Sequence, residues 1–194
     1  MVSISNAETV DLGDRILDAA ASCVSDFGVQ RVTVAEIARR AGVSRPTVYR
    51  RWPDTRAILA SLLTGRIVGA WRMAPTRGSG RDALVERIVE VAGRLRDDDL
   101  ILDVLRSDPE LAMVYITDRL GTSQRIVIDL VADELRKAQA DNTVRAGDPR
   151  QLAAVVLLIA QSAIQSARLV EPIMSTDALS TELTYALNGY LRRA

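Results

Sequence analysis

The side chains with most to offer chemically lie close together: Ser44, Arg45, Thr47, Tyr49 and Arg50, with Thr33 upstream and Thr55 and Arg56 just beyond. Hydroxyls and guanidinium groups three to four residues apart share one helix face, and such a face holds phosphate oxygens and reads base edges rather than breaking bonds. Bond-breaking chemistry is poorly served elsewhere in the chain. There is no histidine and only one cysteine, so a disulfide framework, a Cys/His zinc cluster and a Ser-His-Asp or Cys-His triad are all excluded. Cys23 falls on an apolar stripe and reads as a small core residue. Asp97-Asp98-Asp99 are adjacent, point in different directions and lack the spaced ligands of a cation loop, so they read as a loop entering a helix. Gly78-Ser-Gly80-Arg-Asp-Ala83 fits the loose pattern G-x-G-x-x-A, but a helix pattern stands where the dinucleotide fingerprint needs a strand, which leaves a flexible connector. No enzyme activity, metal or cofactor is expected.

Charge points the same way. The 25 basic residues, all arginine except Lys137, balance 25 acidic ones, so no global field draws the chain to nucleic acid or membrane. Any attraction must be local, and residues 31–56 supply it: Arg31, Arg39, Arg40, Arg45, Arg50, Arg51 and Arg56 against Glu36 and Asp54, seven minus two, or +5. The stretch before them is acidic, with Glu8, Asp11, Asp14, Asp18 and Asp26 opposing only Arg15. At 194 residues, 48% hydrophobic and 4% aromatic, the chain is an ordinary globular protein of one domain or two small ones. Its start lacks the basic and apolar regions of a signal peptide, and its longest apolar run, 152–160, is far short of the ~20 residues that cross a bilayer. A soluble cytoplasmic protein with no membrane partner is the expectation.

The elements that must position the basic cluster are all helical. Leu12, Ile16, Ala19, Ala20, Cys23 and Phe27 form a stripe that predicts a helix over about 11–27, stopped by Gly28. Thr33-Val-Ala-Glu36 is a capping box opening 34–41, and Gly42 ends that helix in a left-handed turn. Ser44 caps a third, short helix with Pro46 in its first turn and Pro53 after its end; Trp52 reads as core. Asp54 caps a longer pattern through Ile58, Leu62, Ile67 and Trp71, which runs into the turn formers of 74–80. Further helices are predicted near 82–96, 99–107, 109–119, 122–140, 148–170 and 175–193, with no hairpin signal. The chain therefore reads as all-α: a compact three-helix unit over 1–53, which carries the basic cluster, and a larger helical bundle over 54–194.

Two short helices joined by Ala41-Gly42-Val43 are what a helix-turn-helix requires, with Val43 plugging the core. The run from Thr33 to Asp54, which includes Ile37-Ala38, Ala41-Gly42-Val43-Ser44-Arg45-Pro46-Thr47-Val48-Tyr49 and Trp52-Pro53-Asp54, closely resembles the DNA-binding signature of the tetracycline-repressor (TetR) family. The resemblance spans about 10–62. It implies an all-helical, homodimeric, ligand-responsive transcriptional regulator, usually a repressor. Carried over position by position, it implies that Thr33, Thr47 and Tyr49 serve the phosphate backbone while Arg45, Pro46 and Arg50 face the groove, with Ser44 and Thr55 also counted among the DNA-binding residues. Where the family usually has a lysine after Asp54, this chain has Thr55, with Arg56 next; the position of Ala35, a base reader in some members, carries no polar group.

Beyond residue 62 the resemblance rests on length and helix pattern. The segment 152–164 is apolar on every side, which calls for a second cover from another copy of the chain, and Leu179, Leu183, Leu187 and Leu191 offer a matching stripe for a four-helix dimer interface. Few aromatics and many aliphatic residues in the bundle suit an elongated apolar effector with one polar or anionic end. Trp71, Arg106, Tyr115, Gln161 and Gln165 are its candidate contacts. The expected function is a repressor released from a palindromic operator when the effector binds; a ligand-independent DNA-binding dimer or an activator is the alternative.

Overall fold

The computed structural model describes residues 4–107 and 121–193, and among these there is no strand. The helices are α1 (Ile4–Phe27), α2 (Val34–Arg40), α3 (Arg45–Tyr49), α4 (Thr55–Met73), α5 (Gly80–Arg96), α6 (Asp99–Ser107), α7 (Thr122–Ala140), α8 (Pro149–Gln165), α9 (Ala167–Val170) and α10 (Thr176–Leu191), with a 3-10 turn at Val29–Arg31. Their starts follow the cap residues. Thr33 Oγ1 accepts from Glu36 N at 3.3 Å, Ser44 Oγ from Thr47 N at 3.3 Å, Asp54 Oδ1 from Ala57 N at 2.7 Å, and Asp148 Oδ1 from Arg150 N and Gln151 N at 2.8 and 3.0 Å. Each bond satisfies a donor that the first helical turn leaves free. α1 begins well before the residue 11 expected from its stripe. The helix expected over 109–119 lies outside the described residues.

The described residues divide into two compact units: those up to Gly65 together with α6, and Arg66–Asp98 together with those after 120. This differs from a boundary at 53/54, for a physical reason. The first turns of α4 place Ile58, Leu59, Leu62 and Leu63 in one core with Ile16, Ala20, Cys23 and Val24 of α1, Ile37 and Ala38 of α2, and Val48 of α3. One long helix and two short ones do not enclose this core alone, and α4 supplies the missing wall. α6 closes the same core with Leu100 and Val104. Cys23 is completely buried there, and burial pushes its thiol pKa up, as for a structural cysteine.

In the second unit α5, α7, α8 and α10 pack on one another, with Leu84, Val85, Ile88, Leu135 and Val156 among the buried side chains. Two apolar segments find cover here. Of the stripe Leu179, Leu183, Leu187 and Leu191 of α10, the last three are buried in this chain's own bundle and already have their cover there, while Leu179 is half-buried. Likewise α8 buries Leu152, Ala153, Val156 and Ala160 within the chain, and only its other side, with Leu158 63% exposed, lacks cover. An apolar stripe states that burial is needed; it does not state against what. The helix expected to run from 148 to 170 instead breaks at Ser166, whose backbone (φ −98°, ψ 5°) turns the chain into α9.

Candidate nucleic-acid interface

The turn between α2 and α3 is fixed by backbone bonds. Val43 N donates to Ala38 O at 3.0 Å and Gly42 N to Arg39 O at 3.3 Å, while Gly42 takes φ +64°, a left-handed conformation that costs glycine no steric strain. Val43 then tucks against the core, as the sequence reading anticipated. α3 buries only Val48 and turns the rest of its surface outward: Ser44, Arg45, Pro46, Tyr49 and Arg50 are exposed, Tyr49 by 52%, and Thr47 is half-buried.

Side chains on this face are linked in a row. Ser44 Oγ and Thr47 Oγ1 share a hydrogen at 2.8 Å, and Arg50 Nη2 donates to Thr47 Oγ1 at 3.3 Å. The expected residues Ser44, Thr47 and Arg50 are therefore brought together, one helical turn apart, and Arg50 is held ready along the helix. Thr33 is exposed with its oxygen in use as a cap, which leaves its hydroxyl hydrogen for a further partner. Thr55 opens α4 half-buried, beside exposed Arg56, and Ala35 is half-buried. Trp52 is also only half-buried; its Nε1 donates to Ser61 Oγ of α4 at 2.8 Å, so the indole braces α3 against α4.

The +5 of the sequence is not all available. Glu36 does not close the capping box on Thr33 N; its carboxylate takes Arg39 Nε and Nη2 at 2.8 and 2.6 Å and Arg40 Nε at 3.0 Å. Those bonds, Arg39's first, hold its pKa down from 4.5 to about 2. Arg40 also reaches back to Asp26 Oδ2 at 2.6 Å and lies 4.8 Å above the Phe27 ring, so it fastens α2 to the end of α1. Pairing of this kind cannot be read from a charge count, and it leaves Arg45 and Arg50 of α3 as the cations best placed on the outer face.

Of the effector candidates, Trp71, Gln161 and Gln165 lie in the second unit, whereas Arg106 belongs to α6 of the first. Trp71 is 6% exposed, and the guanidinium of Arg87 lies 4.2 Å over its ring while Arg87 Nη2 donates to Trp71 O at 2.9 Å. Gln161 is half-buried and accepts from Gln124 Nε2 at 3.2 Å; Gln165, half-buried, sits one turn further along α8. Tyr115 and the side chain of Arg106 lie outside the described residues. A shallow groove of about 270 Å³ between α8, α9 and α10 is lined by Ile159, Ala163, Val170, Leu179, Leu183 and others, and none of the effector candidates lines it. Asp98 pairs with Arg66 at 3.7 Å and Asp97 with Arg96 at 3.2 Å, so these two acids of the triplet serve as ion-pair partners. No described helix is long and apolar enough to cross a membrane.

An exposed, polar second helix set on a fixed glycine turn, in an all-helical chain, defines a helix-turn-helix DNA-binding protein. Residues 16–62 match the family model of bacterial regulatory proteins, tetR family. An uncharacterized HTH-type transcriptional regulator of Mycobacterium tuberculosis, Rv2250c, is 62% identical over 191 residues, 98% of this chain and 100% of the relative. The chain belongs to the tetR family and is a transcriptional regulator rather than an enzyme. The fold agrees: the TetR-family repressor QsdR of R. erythropolis superposes with a TM-score of 0.71 at 19% identity, over 96% of this chain and 98% of that one. FadR of Bacillus subtilis in complex with stearoyl-CoA gives 0.60 at 18% identity, over 92% and 98%.

Proposed function

We propose that this regulator is a homodimeric, effector-responsive repressor acting in the cytoplasm, with the three-helix head and the start of α4 reading DNA and the helical bundle that follows binding the effector and dimerising. The outward face of α3 carries the reading: Ser44, Arg45, Pro46, Thr47, Tyr49 and Arg50 stand on a turn that Gly42 and Val43 fix. Arg45, Pro46 and Arg50 enter the major groove, and Thr33, Ser44, Thr47, Tyr49 and Thr55 hold phosphates, with Arg56 replacing the lysine usual at the start of α4.

A second copy covers the apolar side chains that α8, α9 and α10 leave in water, Leu158, Leu169 and Tyr185 among them, together with Ile173. Two heads on a two-fold axis match half-sites about one helical turn, ~34–36 Å, apart, so the operator is palindromic. The effector is an elongated apolar molecule with a polar or anionic end, held near Trp71, Arg106, Tyr115, Gln161 and Gln165. Supporting this, the same fold holds stearoyl-CoA in FadR. Effector binding favours a state whose heads no longer match the half-sites.

Selection of duplexes from a random-sequence pool, paired with sedimentation at micromolar protein, tests the DNA-binding part. The expected result is an inverted repeat bound by a dimer. An isolated half-site bound by a monomer would overturn it.

A further inference from the structure

Arg15 is the one cation on the otherwise acidic first helix, and the structure places it on the helix-turn-helix turn. Its Nη2 donates to Ala41 O at 2.7 Å, across 26 residues of sequence. Ala41 is the C-cap of α2, and the turn that follows uses the carbonyls of Ala38 and Arg39 for Val43 N and Gly42 N. Among the described residues no backbone N–H donates to the carbonyl of Ala41, so the guanidinium supplies the donor, and as a cation at a helix C-terminus it is favoured there. It also lies against Gly42: a Cβ built on that residue would sit 3.6 Å from Nη2.

We infer that Arg15 is a positioning residue for DNA reading: it pins the turn to α1 and thereby sets the direction in which α3 presents Arg45 and Arg50, without touching DNA itself. The carbonyl it holds belongs to the hinge between the two helices, and the angle of that hinge decides whether long side chains on α3 meet base edges. Phosphate attraction tolerates a few degrees of freedom in α3, whereas two-point hydrogen bonding to a base does not. Loss of Arg15 therefore removes selectivity before it removes general affinity for DNA. This inference rests on the groove-facing reading of α3.

The test uses the full-length protein, a duplex selected by the wild type from a random pool, and an unselected duplex of the same length. Arg15→Met should bind the selected duplex about tenfold more weakly, consistent with losing one charge-assisted hydrogen bond. Binding to the unselected duplex and the log-log salt slope on both should stay as in the wild type, and Arg15→Lys, which keeps a cationic donor, should recover part of the loss. Arg15→Gln is read in the same way should Arg15→Met prove unfolded by circular dichroism. A slope shallower by about 0.9 would make Arg15 a phosphate contact and overturn the inference. An equal loss on both duplexes, or none on the selected one, overturns it as well. Arg45→Ala run in parallel separates the two levels: if it too leaves selectivity intact, the groove-facing reading of α3 falls and the Arg15 inference falls with it.

Discussion

Single side chains decide what the head reads. Arg45 is exposed on the first turn of α3, and a groove-facing arginine meets guanine O6 and N7 with two hydrogen bonds. Arg45→Ala is expected to cost about 1–3 kcal/mol on the selected duplex and to relax preference at one base pair per half-site, measured by titration against single-base variants. Thr47→Ala and Tyr49→Phe should weaken binding to all sequences alike, because a phosphate contact carries no base information. Beneath this face, Glu36 makes α2 sensitive to acid. Its carboxyl titrates near 2 when folded, below the ordinary 4.5, so its contribution to stability is complete above pH 4.5 and disappears as pH falls through 2. The melting-temperature gap between wild type and Glu36→Gln should therefore close over that window; a gap that is constant with pH contradicts the Arg39 and Arg40 pairing. The polar residues of α3 were legible from sequence because Ser44, Thr47 and Arg50 are three apart and a helix needs no distant information to align them. Arg15 and Arg40 were not, since the groups they hold, Ala41 O and Asp26, lie in a neighbouring helix.

At the scale of helices, most boundaries were readable and packing partners were not: the expected ends at 27, 96, 107 and 140 are the observed ones, although α1 starts at Ile4 rather than near 11. Thr33, Ser44, Asp54 and Asp148 each bond a backbone N–H within three residues, so local sequence carries the whole signal. C-terminal carbonyls are instead met by arginines from elsewhere. Arg15 takes Ala41 O at the end of α2, Arg87 takes Trp71 O near the end of α4, and Arg145 Nε takes Tyr190 O at the end of α10 while stacking 4.6 Å over that ring. At α4 the need is plain: the residue four beyond Trp71 is Pro75, which has no N–H to give. A delocalised fork that can stack and donate together does this better than an ammonium group, which accounts for part of a composition with a single lysine. Which neighbour covers an apolar stripe is not written in the stripe itself. Because Leu187 is fully buried in its own bundle, Leu187→Ala should destabilise the fold by about 2–5 kcal/mol without changing oligomeric state. Tyr185, 78% exposed on the opposite side of α10, gives the contrasting variant: Tyr185→Arg should shift sedimentation toward monomer. The reverse pattern would return the Leu183, Leu187 and Leu191 stripe to the dimer surface.

For the molecule as a whole, one segment, α4, runs from the first unit into the second. α4 is continuous from Thr55 to Met73: its first half supplies Ile58, Leu59, Leu62 and Leu63 to the head core, and near its other end Trp71 is buried under Arg87. Trp71 is thus both a candidate effector contact and a built-in reporter, because moving the Arg87 guanidinium off its ring alters its emission. In a Trp52→Phe background, where Trp71 is the only indole, palmitate or palmitoyl-CoA is expected to shift that emission, raise the melting temperature and release the selected duplex over one concentration range. Linkage requires the three to coincide, since a ligand moves the equilibrium only by its differential affinity for the released state. Substituting Trp71 or Arg106 should weaken the response while leaving DNA binding in the absence of ligand unchanged. A broad screen in which only flat aromatic cations stabilise the protein would remove the aliphatic effector and leave the helix-turn-helix regulator standing.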